Sequence, residues 1–94
     1  MKIIWDDNKD RINQQKHRVS FEMAQHVFAD PLHVSRQDRA ENGELRWQTV
    51  GSVGGVALLL VAHTMTDEDD QEVIRIISAR RADKNERRIY EQGS

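Results

Sequence analysis

The chain opens on Lys2-Ile-Ile-Trp5, a short β-branched and aromatic run that predicts a first strand. Asp6-Asp7-Asn8 follows. Either aspartate can accept backbone N–H bonds at a helix start, so a helix is expected from about Asn8 to His17. Its apolar stripe is thin, with Ile12 the only aliphatic residue. Lys9, Asn13, Lys16 and His17 share one helical face, a polar surface suited either to solvent or to binding. Val19-Ser20 breaks the helix, and Ser20 can cap the next one. Phe21, Ala24, Val27 and Phe28 then recur at helical spacing. Asp30-Pro31 ends this second helix, because proline disfavours helical geometry in the residue before it.

Leu32 to Arg36 predicts a second strand. Polar Gln37 to Glu44, which holds Gly43, reads as a loop or hairpin tip. Leu45 to Val50 alternates, with Leu45, Trp47 and Thr49 on one side and Arg46, Gln48 and Val50 on the other. After a turn at Gly51 to Gly55, Val56 to Thr64 is almost continuously apolar, as expected of a strand covered on both faces. Thr66 to Gln71 reads as an acidic turn longer than a tight hairpin needs. Glu72 to Ser78 is a further strand, with Val73, Arg75 and Ile77 on one face and Ile74 and Ile76 on the other. Asp83 with Glu86 at the third helical position predicts a capped last helix reaching about Tyr90. Helices and strands do not alternate, so the expected class is α+β. An N-terminal strand and two helices would pack on a mainly antiparallel sheet of four to five strands, with a short C-terminal helix.

At 94 residues, the whole chain from 1 to 94 is expected to be one domain with one modest core. No repeat is visible. The absence of cysteine excludes a disulfide scaffold, thiolate zinc sites and cysteine nucleophiles. The longest apolar stretch, Val53 to Ala62, is interrupted by Gly54-Gly55 and is too short to cross a bilayer. The first residues carry no apolar signal core. A cytoplasmic protein with no membrane partner is the simplest expectation. The net charge of −2 hides an asymmetry. Basic and acidic side chains balance over residues 1–66. Asp67, Glu68, Asp69, Asp70 and Glu72 then form an acidic knot. The tail that follows is basic, through Arg75, Arg80, Arg81, Lys84, Arg87 and Arg88, and can make a local anion site.

Familiar chemistries are absent. Gly51-Ser-Val-Gly-Gly55 lacks the lysine and the strand–loop–helix setting of a phosphate loop. His17, His26, His33 and His63 show no metal spacing, so neither a metal nor a cofactor is expected. Ser20 and Ser78 sit in no nucleophile elbow. What remains is His63, closing the apolar strand, and Arg80-Arg81, directly after the next one. Counting outward from the acidic turn sets His63 opposite roughly Val73, and the start of the long strand opposite Ser78 to Arg80. His63 and Arg80 are then expected toward opposite ends of the hairpin. Plainer readings stand beside the catalytic one. His63 can be bonded to backbone, the arginines can brace a helix start by salt bridges, and Trp47 can be core rather than a platform for a base.

Several blocks of residues together resemble one family. They are Asp6-Asp7-Asn8-Lys9, Lys16-His-Arg-Val-Ser-Phe-Glu22, Val27-Phe-Ala-Asp-Pro-Leu32, Arg46-Trp47, Val61-Ala-His-Thr64 and Arg75-Ile-Ile-Ser-Ala-Arg-Arg-Ala82. From about Ile3 to Tyr90 the chain is similar to the BrnT toxins, the toxin half of a bacterial type II toxin–antitoxin pair. Two features depart from that pattern. Arg18 stands where glycine is usual, and the acidic turn at Asp67 to Asp70 is more charged. The resemblance implies a RelE-like fold, endoribonuclease activity and neutralisation by a ribbon–helix–helix antitoxin, BrnA-like, with operator DNA bound only through that antitoxin. On this reading RNA supplies its own nucleophile, the 2′-hydroxyl beside the scissile phosphate. The protein then orients it, moves protons and stabilises the developing charge, with no metal ion. Arg80 and Arg81 are the candidates for phosphate binding and charge stabilisation, since a planar guanidinium bonds two phosphate oxygens at once. His63 is the candidate acid or base. Arg46, Arg87, Arg88 and Tyr90 are candidate RNA contacts, with Lys16 and His17 behind them. The alternative is a non-catalytic partner of a DNA-binding transcriptional regulator, which the near-neutral charge favours.

Overall fold

The computed structural model describes residues 1–93. Five strands form one sheet: β1 (Lys2–Ile4), β2 (Val34–Glu41), β3 (Glu44–Val53), β4 (Ala57–Glu68) and β5 (Gln71–Arg81). Their spatial order is β1-β5-β4-β3-β2. β1 runs parallel to β5, and every other pairing is antiparallel. The helices are α1 (Asp7–His17), α2 (Phe21–Ala24, continued by a 3-10 turn over Gln25–Ala29) and α3 (Lys84–Gln92). The expected α+β architecture is present: a meander of four strands whose far edge accepts the N-terminal strand.

The core lies between the sheet and α2. Leu59 and Val61 of β4, with Ile76 and Ala79 of β5, meet Val19, Phe21, Ala24 and Val27. The 3-10 turn crosses β3 at Gly51, where an added Cβ would lie 2.8 Å from Val27 Cγ1. Only a residue without a side chain admits that approach. Asp6 and Ser20 cap α1 and α2 as the sequence suggests, accepting from Lys9 N and Met23 N. Arg18 closes α1 in the left-handed region at φ 61°. Glycine adopts that geometry without the steric cost a side chain brings.

Three expectations are corrected. Gln37 to Glu41 is strand, not loop. The tip of that hairpin is Asn42-Gly43 alone, with φ of 53° and 76°. This is the two-residue turn chemistry of Asn-Gly, and the continuation of β2 past the strand expected to Arg36 went unseen because its residues are exposed on both faces. The acidic stretch is likewise strand up to Glu68 and again from Gln71, around a tight turn of Asp69 and Asp70 at φ 50° and 62°. Beyond the core no apolar alternation marks such a strand. The register also shifts. His63 pairs with Ile76 rather than Val73, while Ala62 pairs with Ser78, so Ile77 is an extra residue bulged out of β5. Ile76 and Ala79 therefore both reach the core, which strict alternation forbids. His63 lies within β4 rather than at its end.

β1 stops at Ile4, opposite Arg75, and leaves the rest of β5 without a strand on that side. α1 takes its place through one side chain. Asn13 Nδ2 donates to Ala79 O at 2.8 Å, and Asn13 Oδ1 accepts from Ala79 N at 3.1 Å. Nδ2 also donates to Val19 O at 2.8 Å. The amide copies the donor and acceptor of a neighbouring peptide, and Asn13 is the one residue α1 buries. Asn13→Ala strands the backbone groups of Ala79 in a buried site, so it is expected to cost about 2–4 kcal/mol. Ile12→Ser, at a residue that is 50% exposed, is expected to cost less than about 1 kcal/mol. Urea unfolding of both variants checks this, and an Asn13→Ala loss no larger than that of Ile12→Ser contradicts it.

Candidate functional site

Side chains of a strand alternate between faces, and cross-strand partners share one. Leu59, Val61 and His63 point to the side covered by α2. Leu60, Ala62 and Thr64 point away. Their partners Arg80, Ser78 and Arg75 on β5, and Gln48 on β3, share that second face. Arg36 pairs with Gln48 and joins them, as does Arg46, which alternates with Trp47. Four arginines thus surround a floor made low by Ala62 and Ser78. Arg36 was not singled out from sequence, and Arg75 entered only as part of the basic tail. Their only signal was a place in strands whose register was not yet known.

Three of these guanidinium groups are held by glutamates. Arg75 Nη2 lies 2.5 Å from Glu44 Oε1, an ion pair that spans β4. Arg46 Nη1 lies 3.7 Å from Glu41, while its Nε is buried without a partner. Arg80 makes a two-pronged pair with Glu86, both contacts at 2.8 Å. Those bonds raise the Arg80 pKa further, against the opposing effect of burial. Glu86 also accepts from Asp83 N, and Asp83 Oδ1 accepts from Glu86 N, each at 2.8 Å. Arg80 is therefore tied to the capped start of α3. Arg81 pairs with Leu59, so it leaves the strand on the opposite face. The two neighbouring arginines do not converge on one point.

His63 is corrected most. It is fully buried, with Phe28 edge-on to its ring at 4.9 Å between centroids. Nδ1 lies 3.2 Å from Thr64 O, which can only accept, so Nδ1 carries the proton. Nε2 then accepts from Thr49 Oγ1 at 2.6 Å, and Thr49 in turn accepts from Ser35 Oγ at 2.7 Å. Burial pushes the imidazole pKa down to about 4, partly opposed by the bond to Thr64. A neutral, enclosed ring that points away from the arginine face is not placed to exchange protons with a substrate there.

The other candidates scatter. Tyr90 is half-buried, and its hydroxyl donates to Asp30 Oδ2 at 2.7 Å. Asp30 also accepts from Ser52 N at 2.8 Å and Leu32 N at 2.9 Å, so it joins the end of the 3-10 turn, β3 and α3. Burial alone would raise its pKa, but these N–H groups and the Tyr90 hydroxyl bring it below the usual carboxylate value. The same bond raises the phenol of Tyr90. Sequence reading saw Asp30 only as a helix stop. Arg87 and Arg88 are exposed on α3. Lys16 and His17 line a shallow cavity of about 170 Å³ with Ile77 and Ser78, at the unpaired edge of β5. Trp47 is half-buried beside His63. Among the described residues no three His, Asp or Glu side chains gather as a metal site. No described helix is long and apolar enough to cross a membrane.

An α+β chain with one helix-covered sheet face and one arginine-bearing face has a solved counterpart. It is similar to the crystal structure of the Brucella abortus ribonuclease toxin, BrnT, with a TM-score of 0.63 and 22% identity, over 89% of this chain and 99% of that one. At that identity the likeness establishes the fold. Residues 5–86 match the model of the family described as ribonuclease toxin, BrnT, of type II toxin–antitoxin system, and the chain belongs to that family. No curated relative matches it.

The His63 assignment has a pH signature. With a folded pKa of about 4 against an ordinary 6.5, the unfolded chain binds a proton that the folded chain refuses. The contribution of the neutral ring is complete above pH 6.5. It is lost as pH falls toward 4, at up to about 1.4 kcal/mol per unit. Chemical denaturation from pH 7 to 4.5 is expected to show this slope in the native protein and to show it reduced in His63→Gln. Equal slopes would contradict the assignment.

Proposed function

We propose that this chain is an endoribonuclease whose working surface is the sheet face bearing Arg46, Arg75 and Arg80. The observation that carries the reading is the placement of these three cations around the low floor of Ala62 and Ser78 in a chain of a ribonuclease toxin family. A scissile phosphate laid on that floor meets guanidinium donors on both sides. Such donors suit the charge that grows on the phosphoryl oxygens during transfer. With His63 enclosed, Glu44 is the proton acceptor on this face, held in place by Arg75. The 2′-hydroxyl gives its proton to Glu44, and its oxygen bonds to phosphorus. The P–O5′ bond breaks, and the 5′-oxygen takes a proton from solvent. The products are a 2′,3′-cyclic phosphate and a free 5′-hydroxyl, and no metal ion is required. Arg81 stays outside this constellation.

The pairing of each cation with a glutamate favours the second reading, a non-catalytic partner whose surface charges are already satisfied. One experiment separates them. Purified protein incubated with RNA in excess EDTA is expected to generate ends carrying cyclic phosphate and 5′-hydroxyl. Arg75→Ala is expected to slow this about 10²–10³-fold. The Arg75–Glu44 pair is 41% and 37% exposed, so its loss costs stability only about 0–1 kcal/mol and the variant remains folded. Arg81→Ala is expected to stay within about threefold of the parent. No cleavage at all selects the second reading, and 5′-phosphate ends that need magnesium overturn the mechanism.

Membership of a type II family implies a protein antitoxin. We infer a ribbon–helix–helix antitoxin of the BrnA kind, reaching operator DNA on behalf of the pair. Co-expression with the adjacent small reading frame is expected to restore growth that this chain alone arrests. Unimpaired growth without that partner counts against a toxin.

A further inference from the structure

α1 is an unusual helix to keep. Its contribution to the interior is Asn13, and Ile12 is its single aliphatic residue, half exposed. Its remaining surface is polar and charged, with four cations beside Asp6, Asp7 and Asp10. Lys9, Arg11, Lys16 and Arg18 are all exposed, and none is in an ion pair among the described residues, unlike Arg46, Arg75 and Arg80 on the sheet. Of the nearby carboxylates, Asp10 is committed to Phe21 N and Asp6 to capping, which leaves Asp7. Lys9 and Lys16 are seven residues apart, as are Arg11 and Arg18, or about 10 Å along the axis. The helix thus carries two rows of cations outside ion pairs, Arg11 donating to the neutral Asn8 Oδ1. Each row borders a groove: Arg11 and Arg18 with Gln14 and Gln15 on one side, Lys9 and Lys16 with Ile77 and Ser78 on the other.

Ser78 connects this helix to the proposed site. It pairs with Ala62 on the floor between the arginines, and it also borders the groove with Lys9 and Lys16. The edge of β5 between them has no strand neighbour, because β1 has already ended opposite Arg75. A chain leaving the sheet face at Ser78 meets α1 with no element in the way. Protein-binding surfaces deplete lysine and centre on apolar or aromatic anchors, whereas unpaired cations with amide side chains between them suit a phosphate backbone.

We propose that α1 is a docking ridge for the RNA backbone, taking the strand that crosses the β5 edge from the cleavage site. It supplies affinity without reading bases. The inference rests on the ribonuclease reading of the sheet face. The test is fluorescence anisotropy with a labelled single-stranded 2′-O-methyl RNA, which has no free 2′-hydroxyl to attack, titrated at several salt concentrations. The double change Lys9→Gln with Lys16→Gln is expected to weaken binding about tenfold. It is also expected to flatten the dependence of log K on log salt by roughly 0.7 for each cation removed. Arg11→Gln is expected to act in the same direction on the other row. Arg39→Gln, the same charge change on distant β2, is expected to leave binding within about twofold. Thermal melting confirms that each variant is folded. If the native protein cuts RNA yet the α1 variants bind it as tightly with an unchanged salt slope, this inference falls and the sheet-face reading stands. If they lose capture of the co-expressed antitoxin while RNA binding is untouched, α1 is the antitoxin surface and the inference is wrong. A native protein that neither binds nor cuts RNA removes the reading on which it rests.

Discussion

The paired bonds between Asn13 and Ala79 decide how much of this sheet can be used. β5 carries a bulge at Ile77, just past Arg75, where its pairing with β1 ends. The backbone of Ala79 would be left unpaired in the interior, where an unmade hydrogen bond costs about 1–3 kcal/mol. Asn13 supplies both partners from a helix. That substitution holds an almost wholly polar helix against the sheet, fixes where α1 ends, and leaves the outer rim of β5 open. The bulge itself lets Ile76 and Ala79 face the core together, while Ser78 and Arg80 face the other way.

The arginine face follows from the same strand. The bulge sets the phase in which Arg75 and Arg80 share a surface across four intervening residues, and Arg81 falls on the other side. Glutamates then hold three of the arginines in defined directions at modest energetic gain, because the pairs are partly solvated. On the proposed reading, an RNA phosphate would compete with those carboxylates instead of meeting free cations. At the far end, Asp30 and Glu86 fasten α3 through Tyr90 and Arg80, so a candidate RNA contact and a candidate for charge stabilisation are also braces of the fold.

The α+β class, the helix caps at Asp6, Ser20 and Asp83 and the apolar path of β4 were legible in the sequence, since each has a local signature. The outer part of β2 beyond Arg36 and the outer ends of β4 and β5 were not. They project beyond the core, where alternation carries no information, and their tight turns rely on left-handed Asn and Asp residues. The proposed arginine face was partly legible. Arg46 and Arg80 were named, yet the face they share with Arg75 depends on a bulge that no spacing rule announces. His63 is ambiguous in the sequence for a physical reason. A histidine in an apolar run is equally consistent with a catalytic base and with a buried ring satisfied by Thr49 and Thr64, and only the burial distinguishes them.

The central claim is that RNA lies on the sheet face opposite α2. It is tested most directly by mapping ¹⁵N chemical-shift changes of the backbone and arginine Nε groups as the 2′-O-methyl RNA is added. The account expects the largest changes at Arg46, Gln48, Ala62, Arg75, Ser78 and Arg80, with little change at the Asp69-Asp70 turn. Changes confined to the groove around Tyr90 and Val56, with the arginine face silent, would contradict it.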